Sequence, residues 1–206
     1  ISGLIMQNLT RNPLASSQVL GINAGATLSV VIVMVFFPAL GYKTKILASF
    51  LGAGFVGVTV QTIGRIRNLS PLKVTLVGIS IQLFLSSITK FIMLFNDSKT
   101  SDLLFWMIGG VHHAQITHIV ELLPCFIISI LLIIKISNSM DTLKMGDAIA
   151  ISLGENIKVI KSIATIVVIL LSSSSVAIAG PISFIGLITP HIVIKLGARN
   201  FRESLG

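Results

Sequence analysis

Apolar runs of membrane-crossing length alternate with short polar segments along almost the whole chain. They lie at about 19–40, 46–64, 74–95, 116–135 and 159–179. The tail of another occupies 1–9, and a shorter run at about 182–197 is interrupted by Pro190. A helix needs roughly 20 apolar residues to cross the hydrocarbon core of a bilayer. In lipid every backbone N–H and C=O must find its partner within the protein, so such runs fold as helices. The pattern predicts an all-α, polytopic transmembrane bundle.

Composition excludes an ordinary soluble domain. Hydrophobic residues make up 53% of the 206 positions and charged residues 11%, against about 25% charged in a typical soluble domain. The mean hydropathy is +0.98. The net charge of +8 raises nucleic acid as a partner. However, the cations flank apolar spans and form no basic patch interleaved with aromatics, so no nucleic-acid binding is expected. Cys125 is the single cysteine, which rules out a disulfide within the chain and argues against a cysteine-based metal site. The chain opens at Ile1 inside an apolar run and closes at Gly206 after a basic cluster. One transmembrane domain over 1–206, incomplete at both ends, is the expectation.

Placement of the cations sets an orientation. One side collects eleven: Arg11, Arg65, Arg67, Lys73, Lys135, Lys144, Lys158, Lys161, Lys195, Arg199 and Arg202. The other holds three, Lys43, Lys45 and Lys99, while Lys90 falls within a span. Cytoplasmic loops carry the excess of Lys and Arg, so loops at 10–18, 65–73, 136–158 and 198–206 are expected in the cytoplasm. Those at 41–45 and 96–115 then face outward.

Three local patterns stand out. Small residues cluster in the spans, as Gly21 and Gly25 with Ala26, Gly52 to Gly54 with Gly57, and Ser172 to Ser175. Such residues let helix backbones approach closely where lipid supplies no hydrophobic drive. At Arg11-Asn12-Pro13, an N-cap residue precedes a proline, which predicts a helix restarting at a membrane surface. The longest cytoplasmic loop, 136–158, places Met145, Ile149 and Leu153 on one helical face. Gly146-Asp147 offers a start, and Gly154 a C-cap. A short amphipathic helix there either lies on the membrane or docks into a partner's groove. With one Lys on each flank it suits docking better. Near the C-terminus, Gly180-Pro181 ends one span, and Pro190 is expected to kink or end the next.

The stretch GPISFIGLITPHI at 180–192 resembles the signature of the FecCD (BtuC-like) family of ABC importer permeases. SGLIMQNLTRNPLASSQVLGINAGA at 2–26 is similar to the family's Gln…Asn-Pro-Leu-Ala…Leu-Gly…Gly-Ala block. MGDAIAISLG at 145–154 is similar to its cytoplasmic segment, and FWMIGG at 105–110 to its Trp…Gly-Gly turn. Ser17 and Met145 depart from the commoner Pro and Leu.

The resemblance implies a ten-helix permease in the bacterial cytoplasmic membrane, of which this chain covers about seven spans, helices two to eight. It implies a second permease subunit, identical or not, and cytoplasmic ABC ATPases seated on coupling helices. It further implies an extracytoplasmic binding protein that delivers the ligand. The ATPase-coupling residues would be Gly146, Asp147, Ala150, Leu153 and Gly154. The signature and structural residues would be Arg11, Asn12, Pro13, Gly180, Phe184, Gly186, Pro190 and His191. The cargo implied is an iron(III)–siderophore complex, with haem and cobalamin as alternatives.

No G-x-x-x-x-G-K-[ST] loop is present, so ATP hydrolysis is expected in a partner, and no catalytic residue, cofactor or metal is assigned. An ion-coupled secondary transporter would want ionisable groups near the midplane, and only Lys90 and Glu121 approach span interiors. An intramembrane enzyme built on His112, His113, His118 and Glu121 lacks an H-E-x-x-H pattern.

Overall fold

The computed structural model describes residues 1–67, 69–96, 100–110 and 116–196, together with Phe201 and Glu203. Lys99, His112, His113, Arg199 and Arg202 lie outside the described residues. Among the described residues the fold is entirely helical: α1 Ser2–Thr10, α2 Ile22–Phe36, α3 Tyr42–Ile66, α4 Pro71–Leu94, α5 Thr100–Ile108, α6 Ile116–Met145, α7 Asp147–Ser152, α8 Ile157–Ala179 and α9 Ile185–Lys195. Four of these, α3, α4, α6 and α8, are long and apolar enough to cross a membrane, and α2 and α9 are shorter apolar helices. The protein is an integral membrane protein.

Side-chain exposure divides as lipid requires. On α3, Leu47, Leu51, Phe55 and Val58 form an outward stripe, while Ala53, Val56 and Val60 turn into the core. The core gathers Leu4 and Ile5 of α1, Ala26 of α2, Ile133 and Met140 of α6, and Val167 and Val168 of α8. Short α1 is enclosed along nearly its whole length, with Gly3 to Asn8 all buried. Close approach is made by glycine against glycine. A Cβ on Gly25 of α2 would sit 2.5 Å from the Gly52 carbonyl oxygen of α3, and one on Gly3 of α1 would collide with the Gly186 backbone of α9. Gly21, the other half of the Gly21/Gly25 pair, meets α4 at Gly78 and Gln82 instead.

Polar groups stitch α3 to α8 along their length. Ser49 Oγ donates to the Ser173 carbonyl at 2.8 Å, Gln61 Nε2 to Thr165 Oγ1 at 2.9 Å, and Arg65 Nη2 to Ser162 Oγ at 2.7 Å. Hydrogen bonds between membrane helices are worth about 0.6–2 kcal/mol each.

Three segments differ from the sequence expectation. Residues 136–145, expected in a loop, continue α6 to Met145. Ile136, Met140 and Leu143 of this one long helix, at i, i+4 and i+7, are buried in the core, while Asn138 and Lys144 stay on its outer face. Residues 96–115, also expected as a loop, contain α5, whose Leu103 packs on Val31, Val35 and Met93.

The restart at Asn12-Pro13 does not form. Asn12 Oδ1 accepts from the Leu14 N–H at 3.0 Å, and the Ala15 N–H bonds to the Asn12 carbonyl at 3.0 Å, making a turn with Pro13 at its second position. Proline's fixed φ suits that position as well as a helix start. Helix α2 begins only at Ile22, capped by Gly21 at φ 76. With 15 residues it spans about 22 Å, short of the roughly 30 Å core.

Candidate functional site

Two regions concentrate the chemistry: the basic end of the bundle, and a cavity system within it. At the basic end Gly146 links α6 to α7, with φ 127 and ψ 149 and no atom near where a side chain would stand. That region of φ/ψ space is open to glycine alone without strain, so the chain turns sharply between the two helices. Asp147 then opens α7, where a carboxylate suits the positive end of the helix dipole. It also receives two cations. Arg11 donates from Nη2 to Asp147 Oδ1 and from Nε to the Leu143 carbonyl at 3.2 Å, and Lys161 Nζ reaches Asp147 Oδ2 at 2.7 Å. One carboxylate thus joins the end of α1, the end of α6, the start of α7 and the first turns of α8.

Arg11 makes this reach from a left-handed backbone (φ 49) that closes α1. Its own N–H bonds to the Asn8 carbonyl, and the Asn12 N–H to the Gln7 carbonyl. Helix α7 ends in the corresponding way. Gly154 stands at φ 83, its N–H bonded to the Ile151 carbonyl and the Glu155 N–H to that of Ala150. This is a Schellman closure.

Of the helix between, Ala150 is fully buried, and Ile149, Ile151 and Leu153 are 46%, 64% and 61% exposed. With Met145 they make an apolar surface at the charged end of the bundle.

At the opposite end the FWMIGG and GPISF segments meet. The Gly110 N–H donates to the Ala179 carbonyl at 2.8 Å, and a Cβ on Gly180 would strike the Trp106 carbonyl. Gly180 (φ 72) closes α8, and exposed Phe184, also left-handed at φ 68, opens α9. Helix α9 does not end at Pro190 but runs over it to Lys195. Pro190 is buried and His191 exposed. The proline has no N–H to offer the Gly186 carbonyl, and that oxygen faces Gly3 of α1.

Between these ends lie two cavities of about 270 and 450 Å³ that share Gln18, Asn23 and Ile182. Polar groups from α2 and α4 line the smaller one, including Thr27, Gln82, Ser86 and Lys90. The Asn23 Oδ1 is buried without a hydrogen-bond partner among the described residues, as is Ser172 Oγ beside the larger cavity. Sequence reading passed over Gln82 and Ser86 of this lining. The available signal was the spacing of Gln82, Ser86 and Lys90 at i, i+4 and i+8 in an apolar run, which puts three polar side chains on one helical face. No group of three or more His, Cys, Asp or Glu residues suited to a metal ion occurs among the described residues.

The whole chain, 1–206, matches the FecCD transport family. It belongs to that family.

FecCD relatives agree along its length. The chain is 40% identical over 205 residues to the Fe(3+)-citrate import system permease protein YfmD of Bacillus subtilis (strain 168), covering 100% of this chain and 61% of the relative. It is 36% identical to the iron(3+)-hydroxamate import system permease protein FhuB of the same organism, over 98% of this chain and 53% of the relative. To the Fe(3+) dicitrate transport system permease protein FecC of Escherichia coli (strain K12) it is 31% identical, over 93% and 59%. The chain therefore spans less than two thirds of the length of these relatives. Its fold matches that of an ABC transporter of metal-chelate type solved in an inward-facing conformation, with TM-score 0.89 and 20% identity over 99% of this chain and 66% of that one.

Proposed function

We propose that this FecCD chain forms most of a permease subunit of an ATP-driven importer of ferric chelates, with ferric citrate the first candidate cargo. The observation that carries the reading is the 40% identity to a ferric-citrate import permease across the whole chain. The iron–hydroxamate relative makes ferric hydroxamates the second candidate.

The exposed apolar surface of α7 supports a coupling role. A permease without its own nucleotide site must receive the ATPase's motion through a contact, and a helix laid in a groove is an ordinary form of such a contact. Asp147, bridged to Arg11 and Lys161, is placed to pass motion of α7 to α1 and α8. Ala150 seats the helix, Leu153 supplies an anchor, and Gly146 and Gly154 set its two ends. A second permease subunit, a cytoplasmic ATPase and an external binding protein complete the proposed machine, in a bacterial cytoplasmic membrane with the basic end inward.

The test is uptake of ⁵⁵Fe-citrate into vesicles holding the full-length protein with its partner subunits and binding protein. Uptake should require ATP hydrolysis and the binding protein, and should survive collapse of ion gradients. Uptake that follows an ion gradient without ATP would replace this reading with a secondary transporter.

A further inference from the structure

The smaller cavity is lined along α4 by a polar stripe that ends in a cation. Gln82, Ser86 and Lys90 lie on one face of α4, turned toward Gln18 and Asn23 across the cavity. The side chains of Gln18, Asn23, Gln82, Ser86 and Lys90 make no hydrogen bond or ion pair with one another or with any other described residue. A polar stripe on a membrane helix must face protein or water, and here it faces a space.

Among the described residues, Lys90 is the one side chain of formal charge lining either cavity. It stands one turn from the Leu94 end of α4, the end opposite the basic one. A cation over a hydrogen-bonding wall that is neutral among the described residues attracts anions and disfavours cations, and low-dielectric walls strengthen that preference.

We infer that Lys90, with the Asn23 and Gln82 amides that line the same cavity, selects anionic, carboxylate-rich metal chelates at the outer half of the permeation path. The inference rests on the proposed import function and narrows its cargo. Ferric dicitrate is a multiply charged anion with free carboxylate oxygens. A ferric trihydroxamate is neutral at its metal centre, because three hydroxamates cancel the charge of Fe(III).

The experiment compares full-length Lys90→Arg, Lys90→Met and Lys90→Glu in the complete transporter, scoring uptake of ⁵⁵Fe-citrate per unit of protein in the membrane. Binding-protein-stimulated ATP hydrolysis is followed in parallel. Arg should retain uptake. Met should lower it roughly tenfold, a modest share of what a unit charge at contact distance supplies in a partly screened site. Glu should lower it further, with stimulated hydrolysis kept in all three.

Equal loss in Arg and Met would assign Lys90 a packing role and overturn the inference. Wild-type uptake in Met would do the same, leaving Lys90 as a side chain that reaches for lipid phosphates. If the wild-type transporter carries a neutral ferric trihydroxamate and not ferric citrate, the inference fails while the import function stands. If it carries no chelate, the import function itself fails.

Discussion

Arg11 and Asp147 stand 136 residues apart in sequence and share a hydrogen-bonded ion pair. The same carboxylate takes Lys161 on its other oxygen. Both cations are about one-third exposed, and partly exposed pairs of this kind contribute about 0.2–1 kcal/mol each. The bridge is therefore too weak to hold the bundle together, and well placed to set the angle of α7. Asp147→Asn and Arg11→Met should leave membrane abundance and melting temperature near wild type. Co-purification of the ATPase should fall several-fold. Full co-purification in both would show that α7 keeps its place without the bridge.

The apolar surface of α7 makes a sharper prediction. Burying a Leu side chain is worth about 1.5–3 kcal/mol, and Leu153 is exposed in this chain alone. Leu153→Asp should lose that gain and leave a charge at the contact, releasing the ATPase or uncoupling hydrolysis from uptake. Gly154→Val should act similarly, because a β-branched residue at φ 83 strains the helix closure by about 1–2 kcal/mol or more. Docking of the binding protein at the other end should persist. Normal ligand-stimulated hydrolysis in Leu153→Asp would remove 146–154 from the coupling role.

Two glycines of α3, separated by Ala53 alone, should behave oppositely. A side chain at Gly52 would meet the Gly25 backbone, whereas the space at Gly54 is open. Gly52→Val forces α2 from α3 and should cost about 1–3 kcal/mol as overpacking does, seen as lower abundance in membranes. Gly54→Val faces outward and should express as wild type. Equal behaviour would contradict the packing of α2 on α3.

Pro190 lies within a continuous helix, so Pro190→Ala should not lengthen α9. Alanine would restore an N–H toward the Gly186 carbonyl and is favoured over proline in a helix interior by up to about 3 kcal/mol. The expected result is a melting temperature at or above wild type with uptake largely kept. A collapse of uptake at normal abundance would mean that transport requires proline itself at this position.

Orientation can be read chemically once Cys125 is replaced by Ser. A cysteine at Asn156, exposed at the basic end, should react with a membrane-impermeant maleimide only after the inner face is opened. One at Lys43, exposed at the other end, should react in intact cells, given passage through any outer membrane. The reverse labelling would invert the bundle.

How much of this was legible in one dimension follows from the solvent. A bilayer varies along a single axis, so hydropathy and the placement of Lys and Arg were enough to determine an all-helical membrane bundle, its main spans and an expected orientation. The start of α7 at Gly146-Asp147 and its closure at Gly154 were legible for a similar reason, since caps are local chemistry.

Partner choice between helices is not local, and only the tertiary structure decided it. Ile136, Met140 and Leu143 become core only when α1 and α8 stand beside α6, which is why a polar-looking loop proved to be helix. Asn12-Pro13 satisfies a turn and a helix start equally well until the neighbouring segments claim the space. Arg11 finds Asp147 because α1 packs beside α6 and α8, and Lys90 comes to share a cavity with Asn23 because α2 packs on α4. A side chain's neighbours across a helix interface depend on which helices pack together, and nothing in its own stretch of sequence names them.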